Sequence, residues 1–298
     1  MPKRKIDTRA IGLDAGAGFI RWLTGAENLH YGLWTDLEPV AGNVGKAQEA
    51  YTERLLGFLP EGPLSILDIG GGAGEMAGKL ADLGHRVDIV VPSRPLAERC
   101  RANAPDARVH ETTFEAFDSD TAFDLCLFSE SFQYIPLRVA LDKALQLAAP
   151  GGHVLIADCF RSENFEPGGE TRTVGGGHPV GKFRAALEAC AGDVLRQEDV
   201  TEAVAPSIDI EQGLFHVLGD AVTHIDAELS AKRPVMRWLL ARAARLAFGR
   251  RRLYRLDRRF RGNERSSTAF VRNNRYLVTL IRKERGHAVR PEPNAATV

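Results

Sequence analysis

From residue 65 to residue 160, short apolar runs alternate with stretches whose apolar positions fall three and four apart. That alternation predicts a mostly parallel α/β sheet with helices on both faces, because strands buried on two sides read as nearly continuous apolar runs. Strands are expected at 65–69, 86–91, 107–110, 124–128 and 153–159, with Gly151 and Gly152 turning the chain into the fifth. A sixth strand fits 194–200, and NRYLVTLIRKE carries a seventh. Residues 207–262 read as helix, too long a gap for a loop, and predict a helical cap inserted before the last strand. Ahead of the sheet, GFIRWLTG and GKAQEAYTERLLGFL predict helices on either side of the loop ENLHYGLWTDLEP. The expected organisation is an N-terminal helical lid (1–60), a core (61–206), the cap (207–262), the terminal strand (263–285) and a disordered tail (286–298). No internal repeat is visible.

At 298 residues the chain can bury a full core, and one elaborated α/β domain is expected rather than two equal ones. No apolar run approaches the ~18 residues of a membrane span. The opening MPKRKIDTRA has a basic end with no apolar segment behind it, so a cytoplasmic protein without a secretory signal is expected. Cys100, Cys126, Cys159 and Cys190 are spaced irregularly, which suits neither a zinc clamp nor a disulfide scaffold and predicts reduced, mostly buried thiols. The zero net charge conceals an asymmetry: residues 1–231 hold 20 basic against 35 acidic side chains, whereas 232–261 hold 12 against 1.

The chemistry concentrates in LDIGGGAGEM, residues 67–76. A dinucleotide fingerprint needs glycine at the place where Glu75 stands, and no Gly-Lys-Ser/Thr follows for a phosphate loop. Glu75 at the helix start would also repel a pyrophosphate. The pattern present is D-x-G-x-G-x-G, from Asp68, Gly70, Gly72 and Gly74. It suits a ligand with a positive centre and an amino-acid moiety, whose ammonium meets carboxylate and carbonyl groups. S-adenosylmethionine is such a ligand.

LDIGGGAGE, FDLCLFSESFQYIP and LAAPGGHVLIADCFR, in this order and spacing, resemble the class I S-adenosylmethionine-dependent methyltransferases over roughly residues 28 to 160. The resemblance implies a Rossmann-like seven-stranded fold in which Asp68, Gly70, Gly72 and Gly74 line the cofactor. Ser129 joins that lining at the end of the fourth strand, and Glu130, Ser131 and Gln133 lie near the transferred group. The family's acidic ribose ligand at the end of the second strand is replaced by Val91; Asp88 sits at an odd offset, on the opposite sheet face. Ser93 or Arg94 is expected to take over that contact. The family's usual adenine Asp falls near Thr112, so main-chain groups of Thr113 and Phe114 are expected to read the base.

NLHYGLW further resembles the His-Tyr-Gly-x-Trp segment of small-molecule and lipid methyltransferases, which lies over the cofactor and acceptor. Tyr31 and Trp34 are the candidates to face the sulfonium, worth about 1–2 kcal/mol if desolvated; the other reading is an aromatic staple on the N-terminal helix. His30, Glu130 and Tyr134 are candidate bases, needed where the acceptor must lose a proton, with His30 the natural one near neutral pH. His153 reads as structural, and His178 has no predictable placement among its glycines.

Lid and cap together imply a small acceptor, and Phe132, Phe160, Phe215 and Trp238 suggest an apolar one. The basic stretch 232–261 has two readings: an arginine face packed on the acidic body, or an amphipathic helix on an anionic bilayer surface. No nucleic-acid module or Asn-Pro-Pro-Tyr signature is present, so no nucleic-acid partner is expected. Rival functions are cyclopropane-synthase-like chemistry on the same cofactor, a non-catalytic S-adenosylmethionine-binding protein and a nicotinamide oxidoreductase.

Overall fold

The computed structural model describes residues 8–165, 176–262 and 265–284; the first residues of the chain and the tail after 284 lie outside that set. Two elements of the lid come first, α1 (Thr8–Thr24) and α2 (Val44–Leu56). The core follows as β1 (Ser65–Ile69), α3 (Glu75–Asp82), β2 (Arg86–Val90), α4 (Arg94–Asn103), β3 (Arg108–His110), β4 (Phe123–Ser129), α5 (Leu137–Leu147), β5 (Ala148–Arg161), α6 (Val180–Glu188) and β6 (Gly192–Asp199). The chain closes with α7 (Thr201–Val204), α8 (Pro206–Lys232), α9 (Pro234–Arg261), α10 (Ser267–Asn273) and β7 (Asn274–Lys283).

The seven strands lie in the order β3-β2-β1-β4-β5-β7-β6, with β7 antiparallel to both of its neighbours and the strand pairs from β3 through β5 parallel. The strand order reverses between β1 and β4, and the crevice beyond their carboxyl ends is where such sheets take ligands. Helices cover both faces. One buried cluster joins Tyr51, Leu55, Met76, Leu80 and Phe270; the other joins Phe114, Phe117, Phe128, Phe132, Phe160 and Phe183. Phe160 and Phe183 stack with centroids 4.2 Å apart, so Phe132 and Phe160 are core residues and not the acceptor wall expected from the sequence. All four cysteines are free thiols, three of them buried.

Three left-handed glycines shape the β1–α3 turn: Gly70, Gly72 and Gly74 have φ of 76°, 55° and 91°. Gly74 also marks a close helix crossing, since a Cβ there would lie 2.8 Å from Cys100 Cα of α4. Gly74→Ala combines left-handed strain with an overpacked backbone contact and should cost about 2 kcal/mol or more, read as a lowered urea midpoint.

The helices inserted before the last strand form a hairpin. Arg233 alone joins α8 to α9, and Asp226 receives both Arg237 Nε and Nη2, at 2.8 and 2.9 Å. The close approach lies at the base, where a Cβ on Gly219 would stand 2.6 Å from Phe260 O. α9 contributes no buried residue, and from 220 to 248 every residue but Leu229 and Ala244 is exposed. Up to residue 248 the arginine face therefore stands off the core, and its acidic partners, Asp226 for Arg237 and Glu211 for Arg259, lie on α8. Trp238, 58% exposed, does not wall an acceptor pocket. Among the described residues no helix is long and apolar enough to cross a membrane.

Candidate active site

A cavity of about 400 Å³ opens at the switch point. Its floor is the turn Asp68–Ala73 with Glu75 and Met76; one wall is Val90–Ser93 with Leu96, another Thr113–Glu115, and a third Ser129–Ser131 with Tyr134 and Ile135, where Ser131 Oγ donates to Ile69 O beside the floor. Glu27, Asn28, Leu29 and His30 form the roof. This strap is tied down by Glu27 N donating to Glu75 Oε1 at 2.7 Å and by Gln48 Nε2 donating to the carbonyls of Asn28 and His30, at 2.9 and 3.0 Å. The Glu27 carboxylate, itself buried, receives Arg21, Arg99 and Asn103.

Asp68 is 1% exposed, and both of its carboxylate oxygens lack a hydrogen-bond partner among the described residues. Burial pushes its pKa up to about 7. An orphaned buried carboxylate costs free energy that a cation arriving in the cavity recovers. Across the cavity, Ser93 Oγ is likewise buried and unpartnered. It stands at the start of α4 but caps no backbone N–H. Val91, where an acidic residue was expected, is buried.

Glu130 holds φ at 56°, a left-handed conformation that is strained for a residue with a side chain. The strain is held by its N–H bonding Ala157 O at 2.8 Å. Its Oε1 accepts the Tyr31 N–H at 2.8 Å and the Tyr276 hydroxyl at 3.0 Å. Tyr276 spends its single proton on Glu130, so Tyr51 donates to it across 2.8 Å and in turn accepts from Ser129 Oγ at 3.1 Å. Burial, reinforced by the nearby Asp158, outweighs these hydrogen bonds and pushes Glu130 up to about 8. Asp158 accepts the backbone N–H groups of Gln133 and Cys159, at 2.9 and 2.7 Å, and so pins the turn that follows Glu130.

His30 Nδ1 lies 2.8 Å from Tyr31 O. A carbonyl only accepts, so the proton is on Nδ1, and the buried Nε2 is left unprotonated and unpartnered. The ring stacks on Tyr51 at 4.4 Å, and burial pulls its pKa down to about 4.

Solved structures share this architecture at low identity. A [4+2]-cyclase aligns with TM-score 0.61 and 15% identity over 93% of this chain and 96% of its own. A cyclopropane synthase from Mycobacterium tuberculosis gives 0.62 and 15% over 91% and 95%. A geranyl diphosphate C-methyltransferase from Streptomyces coelicolor A3(2), in complex with Mg2+, geranyl diphosphate and S-adenosyl-L-homocysteine, gives 0.60 and 12% over 93% and 98%. These likenesses establish the fold. The family is set by residues 67–156, which match the family described as Methyltransferase domain. These residues form a class I S-adenosylmethionine-dependent methyltransferase domain.

The match begins one residue before Asp68 and ends inside β5, so it spans the floor and the walls of the cavity. The donor set of this methyltransferase fits its cofactor: an unpartnered carboxylate for an ammonium, an unpartnered hydroxyl for a ribose, and a glycine turn that admits close backbone approach.

Of the residues singled out in the sequence, His30, Asp68, Gly70, Gly72, Ser93, Thr113, Phe114, Ser129, Glu130, Ser131 and Tyr134 line the cavity. Gly74 does not; its role is the contact with α4. Gln133 does not either, because Gly177 lies over its backbone. Tyr31 and Trp34 are also outside the lining. The Tyr31 ring turns edge-on to Phe270 and Tyr276, and Trp34 Nε1 donates to Ser207 Oγ at 2.8 Å, stapling the lid to α8. His178 Nε2 donates to Ile135 O at 2.9 Å, and Arg94 pairs with Glu98. Tyr51, Tyr276 and Glu27 went unnoticed in the sequence because their partners are 20 or more residues away, apart from Arg21, or lie on another element. Only the apolar pattern of their segments was readable.

Proposed function

We propose that this methyltransferase alkylates a small, apolar or lipid-like acceptor, with Glu130 as the base that removes the acceptor's proton. The observation that carries the reading is the Glu130 carboxyl, held by Tyr31 N–H and the Tyr276 hydroxyl in the cavity wall beside the glycine turn. Glu130 is a better base than His30 near neutral pH, since a group with pKa about 8 takes a proton more readily than one near 4. Asp68, Gly70 and Gly72 would hold the amino-acid end of the cofactor, Ser93 its ribose, and Thr113 and Phe114 its base. When bound, S-adenosylmethionine supplies an electrophilic methyl group. The chain contributes alignment in a dry site and a proton acceptor. Leu29, Val91, Leu96 and Ile135 give the cavity apolar walls, and the similar structures include proteins named for geranyl diphosphate methylation and cyclopropane synthesis.

Methyl-labelled cofactor incubated with the enzyme and a metabolite extract tests this. Label should enter a small organic-soluble product; label confined to polypeptide or nucleic acid would reject the reading. The mass and proton spectrum of that product separate an added methyl from a methylene bridge across a former double bond.

The projecting hairpin supports peripheral contact with an anionic membrane surface. Val235, Met236, Leu239, Leu240 and Leu246 are exposed on α9 beside Arg237, Arg242 and Arg245, the composition of an interfacial helix. Sedimentation with phosphatidylserine vesicles at low ionic strength, and release at about 0.5 M salt, is the expected result. A supernatant full of protein at low salt would remove this contact.

A further inference from the structure

The hairpin base carries a charge imbalance that neither the fold nor proton removal uses. Glu211 of α8 is shared by two guanidinium groups: Arg265 Nη2 lies 2.7 Å from its Oε2, and Arg259 Nη2 bonds its Oε1. One carboxylate therefore answers two cations. Arg259 also lies on the Phe215 ring, with Cζ 3.9 Å from the centroid. Beyond these contacts, Arg259 Nη1 and Arg265 Nε are buried with no hydrogen-bond partner among the described residues.

Docking of the hairpin does not require this surplus. Gln212 Nε2 already donates to Arg259 O and Gly262 O, at 3.0 and 3.1 Å, and Asp209 accepts Ser267 N–H at 2.8 Å. Withdrawing a guanidinium from water without a full set of acceptors is costly, and burial holds Arg259 below its ordinary acidity range. A missing anion explains both features.

The position relative to the methyl-transfer site is set by Tyr31. Its backbone N–H holds Glu130, while its phenol lies in the electrostatic reach of both Glu130 and the Glu211–Arg265 pair. Arg259 and Arg265 therefore share the Tyr31 phenol with the proposed base as an electrostatic neighbour. Phe270 and Tyr276, both fully buried, pack edge-on to that ring at 6.2 and 6.4 Å.

We infer that Arg259 and Arg265 form an oxyanion subsite for the acceptor, which is therefore an amphiphile with a carboxylate or phosphate at one end and an apolar body leading to the methylated atom. The inference rests on the acceptor-methylation reading above and sharpens its substrate class. Guanidinium groups bind such oxyanions through paired, charge-assisted hydrogen bonds.

Calorimetry on the full-length enzyme tests it, with S-adenosylhomocysteine titrated first. Failure of that titration would strike the cofactor-based reading itself. On the loaded enzyme, octanoate or octyl phosphate should bind at least about 10-fold more tightly than octanol, with the stronger of the two naming the oxyanion. Arg259→Gln and Arg265→Gln should each weaken the anion by about 10-fold while leaving S-adenosylhomocysteine and octanol affinities unchanged, and Arg265→Lys should recover part of the loss. Octanol binding as tightly as both anions, or both Gln variants binding the anions as the wild type does, would overturn the inference. Should a variant fold poorly, the wild type alone decides: anion affinity must fall with ionic strength and octanol affinity must not. Equal salt dependence of the two overturns it.

Discussion

Glu130→Gln should lower turnover by about 10²–10⁴-fold while leaving cofactor affinity within a few-fold of wild type, because the amide keeps the shape and the hydrogen bonds but cannot take a proton. Steady-state kinetics paired with calorimetry on S-adenosylhomocysteine separate the two effects. Unchanged turnover would mean that the acceptor attacks without losing a proton to this residue. The pH profile carries a second signature. A base must be deprotonated, so kcat/KM for the cofactor should rise with pH toward a limb near 8, the value to which burial pushes Glu130 in the free protein. A bound sulfonium favours the carboxylate, so the limb in kcat should fall at lower pH. The Tyr276 hydroxyl bonds Glu130 and favours its charged form; Tyr276→Phe should move the limb up by about one unit. A merely structural tyrosine would change expression or stability and leave the limb in place.

Asp68→Asn should weaken cofactor binding by about 10–100-fold, the loss of a charge-assisted contact worth roughly 1.5–3 kcal/mol. The wild-type site should also bind more tightly as pH rises through about 7, since an ammonium prefers the ionised Asp68; the variant should lose that dependence. The sign for folding is opposite. Burial raises Asp68 and Asp158 to about 7 and Glu130 to about 8, so between about pH 4 and pH 8 the folded state holds more protons than the unfolded chain. Stability of the ligand-free protein is therefore greatest at the acidic end of that window and declines as pH climbs through 7 to 8. The melting temperature should fall from pH 5 to pH 8.5, less steeply in Asp68→Asn, and cofactor should narrow the difference. A melting temperature independent of pH over this range would mean that these carboxyls are hydrated in solution.

The parts of the molecule read correctly from the sequence share a property: each is encoded by neighbours along the chain. The strands β1, β2, β4 and β5 appear as continuous apolar runs because helices cover both sheet faces. The glycine turn is visible because three left-handed positions tolerate few other residues. The placement of Asp68, Ser93 and Glu130 at the crevice follows from their offsets at strand ends. Gly74 and Gln133 show the limit of that logic. Each sits at a motif position, yet one is consumed by a helix crossing with Cys100 and the other lies beneath Gly177, contacts that no local pattern records.

The insertion is where tertiary structure departed most from the reading of the chain. Its helical periodicity was evident, but periodicity does not say what a helix packs against, and α9 packs on α8 while contributing no buried residue. The lid aromatics behaved similarly: Tyr31 and Trp34 turn toward β7 and α8, partners more than 170 residues away, and leave the cavity roof to Leu29 and His30. By itself the sequence determined the sheet, the glycine turn and the methyltransferase domain, because backbone conformation and strand burial are written in local spacing. Only the tertiary structure decided which acid is buried against the Tyr276 hydroxyl and where the unpartnered arginine nitrogens stand. Those properties arise from burial and from hydrogen bonds between distant segments, Tyr276 to Glu130 and Arg265 to Glu211, which exist only once the chain has closed on itself.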